Sequence, residues 1–220
     1  MNYLFTTLAF NTANEISLQE LSQNSGVAKN TIKRYIDYLE AAFLIKVVHR
    51  VDRSAKRFRR ANFFKVYLTN PSMRAALFSP VQEDDAATPS LVETAIFSQW
   101  FHQDETLYYA RWPDGEVDIV MLAGDQKVIW AVEVKWSDRY CDRPEELESL
   151  INFCHTNGLE DTLITSKTKT SVCMTEGIEM PFIPASSYCY TVGHNIIKRS
   201  TEKSRGPVRS GRSSRKRPGR

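Results

Sequence analysis

The chain has 220 residues, enough for one large domain or two small ones, and 42% of them are hydrophobic, enough to build real cores. No apolar run approaches the roughly 18 residues a membrane-spanning helix needs, and the N-terminus lacks the basic-then-apolar layout of a secretory signal, so the expected location is cytoplasmic. The net charge of +3 is unevenly spread: ten of the 29 Lys and Arg lie between Lys198 and Arg220, and the 19 basic and 25 acidic residues of 1–197 leave that body mildly acidic.

Ser17 followed by Glu20 is a capping box, which predicts a helix running to about Asn24, and Asn24-Ser25-Gly26 then makes a tight turn. Ile32, Tyr35, Ile36, Leu39 and Phe43 recur at helical spacing and predict a second helix with one buried face. Lys29, Asn30, Lys33 and Arg34 lie on its opposite face near the N-terminus. Two short helices joined in this way read as a helix-turn-helix whose second helix enters a major groove. Ile45–Val51 and Phe63–Thr69 read as strands. Between Lys46 and Lys65 there are eight Lys or Arg, Arg57, Arg59 and Arg60 among them, against one acid, Asp52. A basic hairpin beside a recognition helix suits backbone phosphates. Residues 1–78 are therefore expected to form a winged helix-turn-helix that contacts DNA, or alternatively docks on an acidic protein partner. Residues 79–89, polar and acidic with Glu83, Asp84 and Asp85, read as a linker.

Residues 90–197 predict a second unit. Thr88-Pro89-Ser90 signals a helix start, and Leu91–His102 would follow with Val92, Ala95, Ile96, Gln99 and Trp100 on one side. Three strands come next: 106–112, 116–122 after the Pro113-Asp114-Gly115 turn, and 127–136 after another turn. They form an antiparallel meander. Side chains alternate between the faces of a strand. Glu116, Asp118 and Val120 would share one face of the second strand, and Ile129, Ala131, Glu133 and Lys135 one face of the third. Carboxylates converging within apolar runs repel each other unless a cation neutralises them, and a hard ion such as Mg²⁺ or Mn²⁺ meets that need. A helix over 144–155, with Leu147, Leu150 and Ile151 inward, then leads to a strand at 161–165 parallel to the third.

The ordered set Leu91-Val92-Glu93, Gly115-Glu116-Val117-Asp118 and Val132-Glu133-Val134-Lys135 resembles the PD-(D/E)xK signature of restriction-endonuclease-like nucleases. Residues 1–190 resemble the C-terminal half of prokaryotic AAA+ type ATPases that carry a domain of unknown function, through Lys65-Val66-Tyr67-Leu68-Thr69 and Tyr108-Tyr109-Ala110-Arg111 besides those motifs. The chain departs from that family in having no ATPase module and no Walker motif; Gly206-x-x-x-x-Gly211-Arg212-Ser213 has Arg where a phosphate loop needs Lys. The expected fold is α/β (α+β in sum), a winged helix-turn-helix followed by an αβββαβ core. The resemblance implies that Asp118, Glu133 and the carbonyl of Val134 bind the metal. It also implies that Lys135 orients water or stabilises developing charge, and that Glu93 helps hold the metal or the lysine.

Plainer readings stand beside these. Ser90-x-x-Glu93 is also a capping box, and Glu133 and Lys135 can pair with charges across the sheet. Tyr108, Tyr109 and Trp112 read as core, His49, His102, His155 and His194 as isolated, and the four widely spaced cysteines as reduced thiols. Residues 198–220 have the composition of a disordered basic tail, able to attract phosphates or simply incidental. Two functions of different class follow: a metal-dependent DNA nuclease, or a non-cutting module that binds DNA or a protein such as an ATPase. A truncated remnant of a longer protein is a third.

Overall fold

A computed structural model describes residues 2–57, 62–101, 103 and 105–205, excepting the side chains of 2 and 199–205. Ser17 starts the first expected helix as its side chain dictates, its Oγ accepting from the backbone N–H groups of Gln19 and Glu20. That helix, α2 (Leu18–Ser25), follows α1 (Asn2–Phe10) and the short strand β1 (Glu15–Ser17), and Gly26 ends it with φ +67°, where glycine meets no Cβ penalty. Helix α3 (Lys29–Ala41) buries Ile32, Ile36 and Leu39 as its periodicity requires. Phe43 departs from the expected face: it lies past the helix end at φ +57°, and is 75% exposed.

Strands β2 (Ile45–Val51) and β3 (Phe63–Leu68) form an antiparallel hairpin, with β1 added to the outer side of β3. Helices α4 (Ser72–Leu77) and α5 (Thr88–Trp100) follow, so Thr88 and Pro89 of the expected linker open a helix instead. The antiparallel meander is formed by β4 (Leu107–Trp112), β5 (Gly115–Leu122) and β6 (Val128–Glu133). The short α6 (Arg139–Asp142) and a 3-10 turn at Pro144–Glu146 precede α7 (Glu148–Asn157), so the helix expected over 144–155 is broken at Leu147. Strand β7 (Leu163–Ser166) pairs parallel to β6, as a strand–helix–strand crossover through α7 requires. The hairpin β8 (Ser171–Thr175) and β9 (Ile178–Pro184) completes the sheet. Helix α8 (Ala185–Arg205) then carries regular structure into the expected tail, and 206–220 lie outside the described residues.

The described residues form one mixed α/β architecture of eight α-helices and a nine-stranded sheet, ordered β1-β3-β2-β4-β5-β6-β7-β9-β8. The strand pairing crosses the boundary drawn from sequence: β2 lies parallel to β4, with His49 opposite Tyr108 and Val51 opposite Ala110. One face packs α5, through Ile96 and Phe97, and α8 over Tyr67, Tyr109, Ile119 and Val132. The other packs α7 over Val117, Val120, Ala131 and Ile164. A third core holds α1 and α3 against β2 and β3 through Leu8, Ile36 and Phe64. Each large side chain so buried contributes roughly 1.5–3 kcal/mol relative to exposure.

Gly115 opens β5 where the backbone runs against the Trp112 indole. A Cβ there would enter that ring and lie 2.7 Å from Ser149 Oγ on α7. Gly115→Ala is expected to destabilise the protein by about 1–3 kcal/mol through overpacking, read as a lowered urea midpoint with an unchanged slope.

Candidate functional site

Two lysine–carboxylate pairs meet around Asp118. The larger is centred on Lys65, the third residue of β3 and the one charge in that strand, which is only 3% exposed. Its Nζ lies 3.0 Å from Glu93 Oε1 on α5, 2.5 Å from Glu116 Oε1 and 3.7 Å from Asp118 Oδ1, both on β5. Tyr67, two residues along and on the same face as Lys65, donates its hydroxyl to the same Glu93 oxygen at 2.5 Å. Burial by itself disfavours the lysine charge, but Glu93, Asp118 and Glu116 outweigh it and hold the Lys65 pKa above its ordinary value.

The second pair is Glu133 and Lys135, with Nζ 2.5 Å from Glu133 Oε1. Strand β6 ends at Glu133, and side chains then replace the sheet ladder. The Val134 N–H donates to Asp118 Oδ2 at 2.8 Å. The Lys135 N–H donates to Thr165 Oγ1 at 2.8 Å, and that hydroxyl donates back to the Lys135 carbonyl at 2.9 Å. These bonds hold Lys135 in place although β6 ends at Glu133, short of the 127–136 strand expected to carry it. Glu133 Oε2 is buried and has no hydrogen-bond partner.

The strand alternation drawn from sequence holds for Glu116 and Asp118, which both reach Lys65, and fails just past Asp118. Tyr108 pairs with Val120 but Ala110 pairs with Val117, so β5 carries one extra residue between them. Val117 and Val120 therefore share one core while Ile119 packs in the other, and Val120 does not continue a face with Glu116. Bulges of this kind re-aim side chains. Asp118, beside the bulge, lies between the pairs, with one oxygen toward Lys65 and the other accepting from the Val134 N–H. Farther out, Arg111 bridges Glu116 at 3.0 Å and Glu15 at 3.7 Å, and Tyr109 donates to Glu15 at 2.6 Å.

Glu93, Asp118, Glu133 and Lys135 are thus drawn into one linked cluster, with Glu93 paired to Lys65 and Tyr67 and making no capping bond to Ser90. The sequence reading gives Lys65 and Tyr67, which it places in the strand motif of the ATPase resemblance, and Glu15 no part in the site. Sequence alone groups Lys65 with the basic wing, yet it is only 3% exposed and is buried against carboxylates. The available signal was a lone cation in Phe63-Phe64-Lys65-Val66-Tyr67-Leu68, where a buried charge needs a partner. On α3, Lys29, Asn30, Lys33 and Arg34 are all exposed. Arg57 is exposed, and its guanidinium lies 4.7 Å over the Tyr108 ring. Arg59 and Arg60 lie outside the described residues.

Among the described residues no three His, Cys, Asp or Glu side chains stand together in metal-ligating geometry. Magnesium-type ions commonly take only one or two carboxylates and complete their shell with water and phosphate. Asp118 and Glu133, with a buried unpaired oxygen on Glu133, have that donor chemistry. A family model described as a domain of unknown function, DUF8612, matches residues 1–84, which run from α1 to the segment before α5 and contain Lys65. No curated protein and no solved structure matches the chain.

Burial, then the neighbouring Asp118 charge, pushes the Glu133 carboxyl from 4.5 up to about 8, and burial pushes Glu93 up to about 7. Both carboxyls are thus more readily protonated when folded. Their stabilising contribution is complete below the unfolded value of 4.5 and is lost as pH rises through about 7 and 8. Lys65 and Lys135, both raised, lose theirs only above 10.5, outside this window. The melting temperature of metal-free protein is therefore expected to fall from about pH 4.5 to about pH 8, with a shallower fall in Glu133→Gln. An equal slope in both proteins would mean that Glu133 is ionised throughout.

Proposed function

We propose that this protein is a metal-dependent phosphodiesterase acting on DNA, with a restriction-endonuclease-like core guided by a winged helix. The observation that carries the reading is the convergence of Asp118 and Glu133 beside Lys135, with Glu133 Oε2 buried and unpaired. Asp118 and Glu133, with the Val134 carbonyl, would hold Mg²⁺ or Mn²⁺, which when bound supplies Lewis-acid polarisation of phosphate and a more acidic water. Lys135, fixed through Thr165, places a positive charge at the reacting phosphate, where it orients water and stabilises charge built up in the transition state. Glu93 anchors Lys65, and Lys65 in turn keeps Glu93 and Glu116 together despite their repulsion. Helix α3 supports DNA as the substrate, since Lys29, Asn30, Lys33 and Arg34 leave a polar, basic surface free beside an otherwise buried face.

Lys65 itself supports a second reading, a non-cutting module that binds DNA or a protein, in which its ammonium supplies the neutralising cation. The discriminating experiment incubates the protein with supercoiled plasmid and Mn²⁺ or Mg²⁺. Cleavage that needs the ion and drops at least about a hundredfold in both Asp118→Ala and Lys135→Ala is the expected result. Cleavage surviving in both variants overturns the assignment. If no variant and no wild-type protein cuts, but DNA binding is lost on Lys33→Ala with Arg34→Ala and weakens steeply with salt, the second reading holds.

A third measurement separates metal binding from turnover. Mn²⁺ is expected to raise the melting temperature of the wild type, and Asp118→Asn with Glu133→Gln is expected to abolish the rise.

A further inference from the structure

The two ends of the sheet differ. At one end, β1 is three residues long. At the other, β8 (Ser171–Thr175) is a five-residue edge with no charge, proline or bulge, and with Val172 63% and Met174 65% exposed. Natural edge strands are usually blunted by such features, because unpaired N–H and C=O groups template further pairing.

The hydrogen-bonding direction of β8 follows from its neighbour. Val172 is opposite Pro181, which has no N–H to offer, and Met174 is opposite Glu179. The backbone of Glu179 is engaged on its other side, donating to Glu160 and accepting from Thr162. Val172 and Met174 are therefore the non-bonded partners of β9, and their N–H and C=O groups point outward from the sheet. Among the described residues no strand pairs with that edge.

We infer that β8 is the interface for a second copy of this chain, joined by antiparallel two-fold pairing centred on Cys173. This register is self-complementary. Val172 of each copy meets Met174 of the other, which satisfies all the outward backbone groups of both residues and covers both exposed apolar side chains. The flanking charges favour a copy of the chain over an unrelated strand: Lys169 lies just before β8 and Glu176 in the turn just after it, so antiparallel pairing about Cys173 brings Lys169 of each copy beside Glu176 of the other. Glu176, in the hairpin turn, keeps its side chain 62% exposed. Lys169 is 49% exposed beside Asp142.

The same register sets Cys173 opposite Cys173 as a non-hydrogen-bonded pair, with Cα atoms about 4.5 Å apart, inside the range a disulfide bridges. The test is sedimentation equilibrium of the full chain from low to high micromolar concentration, with crosslinking by copper–phenanthroline and oxygen. The oxidant takes two electrons from two Cys173 thiols, both protons leave, and an S–S bond forms. A concentration-dependent dimer is expected, together with a reducible dimer band that disappears in Cys173→Ser and persists in Cys189→Ser. Met174→Lys is expected to weaken the dimer roughly tenfold or more while leaving far-UV circular dichroism and melting of the monomer unchanged. A chain that stays monomeric across the range overturns the inference, as does a dimer that Met174→Lys leaves intact and that Cys173 does not crosslink.

Discussion

The Lys65 ammonium is the point on which this structure turns. It sits at 3% exposure among carboxylates contributed by α5 and β5, while its own strand belongs to the N-terminal hairpin. A buried cation without partners is strongly unfavourable, and so is a cluster of buried carboxylates without a cation. Each group is tolerable only because the others are present. The ion-pair cluster therefore requires the hairpin, the helix and the meander to be assembled together, and breaking it from either side leaves uncompensated charge.

The continuous sheet supplies the rigid support for that arrangement. Parallel pairing of β2 with β4 brings the hairpin into register with the meander, and β3 then presents Lys65 and Tyr67 toward α5. Tyr67 stacks on Phe97 with ring centroids 3.9 Å apart, so apolar packing and the polar contact to Glu93 fix the same ring. On the far side, Thr165 of β7 brackets the Lys135 backbone after β6 has ended. Four strands and one helix thus determine where the charged atoms lie, which is the kind of preorganisation that electrostatic catalysis needs.

Asp118 connects the two halves of the cluster at a point where the strand is irregular. The extra residue in β5 leaves Glu116 and Asp118 both toward Lys65 and turns Val120 to the core opposite Ile119. The bulge leaves Asp118 with one oxygen near Lys65 and one on the Val134 N–H. The N-terminal match to a domain of unknown function ends before α5, so the acidic residues on α5, β5 and β6 lie beyond it while Lys65 lies within.

Much of the chain was legible in local pattern. The capping Ser17, the apolar spacing of α3, the turn before β5 and the three-strand meander all depend on interactions within a few residues or on simple periodicity. The acidic motifs on α5, β5 and β6 and Lys135 were also readable, because charges inside apolar runs stand out. What local pattern does not contain is pairing between distant segments. The β2–β4 pairing, the descent of Lys65 into an acidic pocket and the replacement of a capping role for Glu93 by a lysine contact are set by long-range packing. The bulge at Asp118 is likewise invisible to strict alternation, since one extra residue reverses every face after it. The amino-acid sequence by itself determined which residues carry charge and which elements form around them. Only the tertiary structure decided which charges meet, because the cost of burying each one is met by partners many residues away.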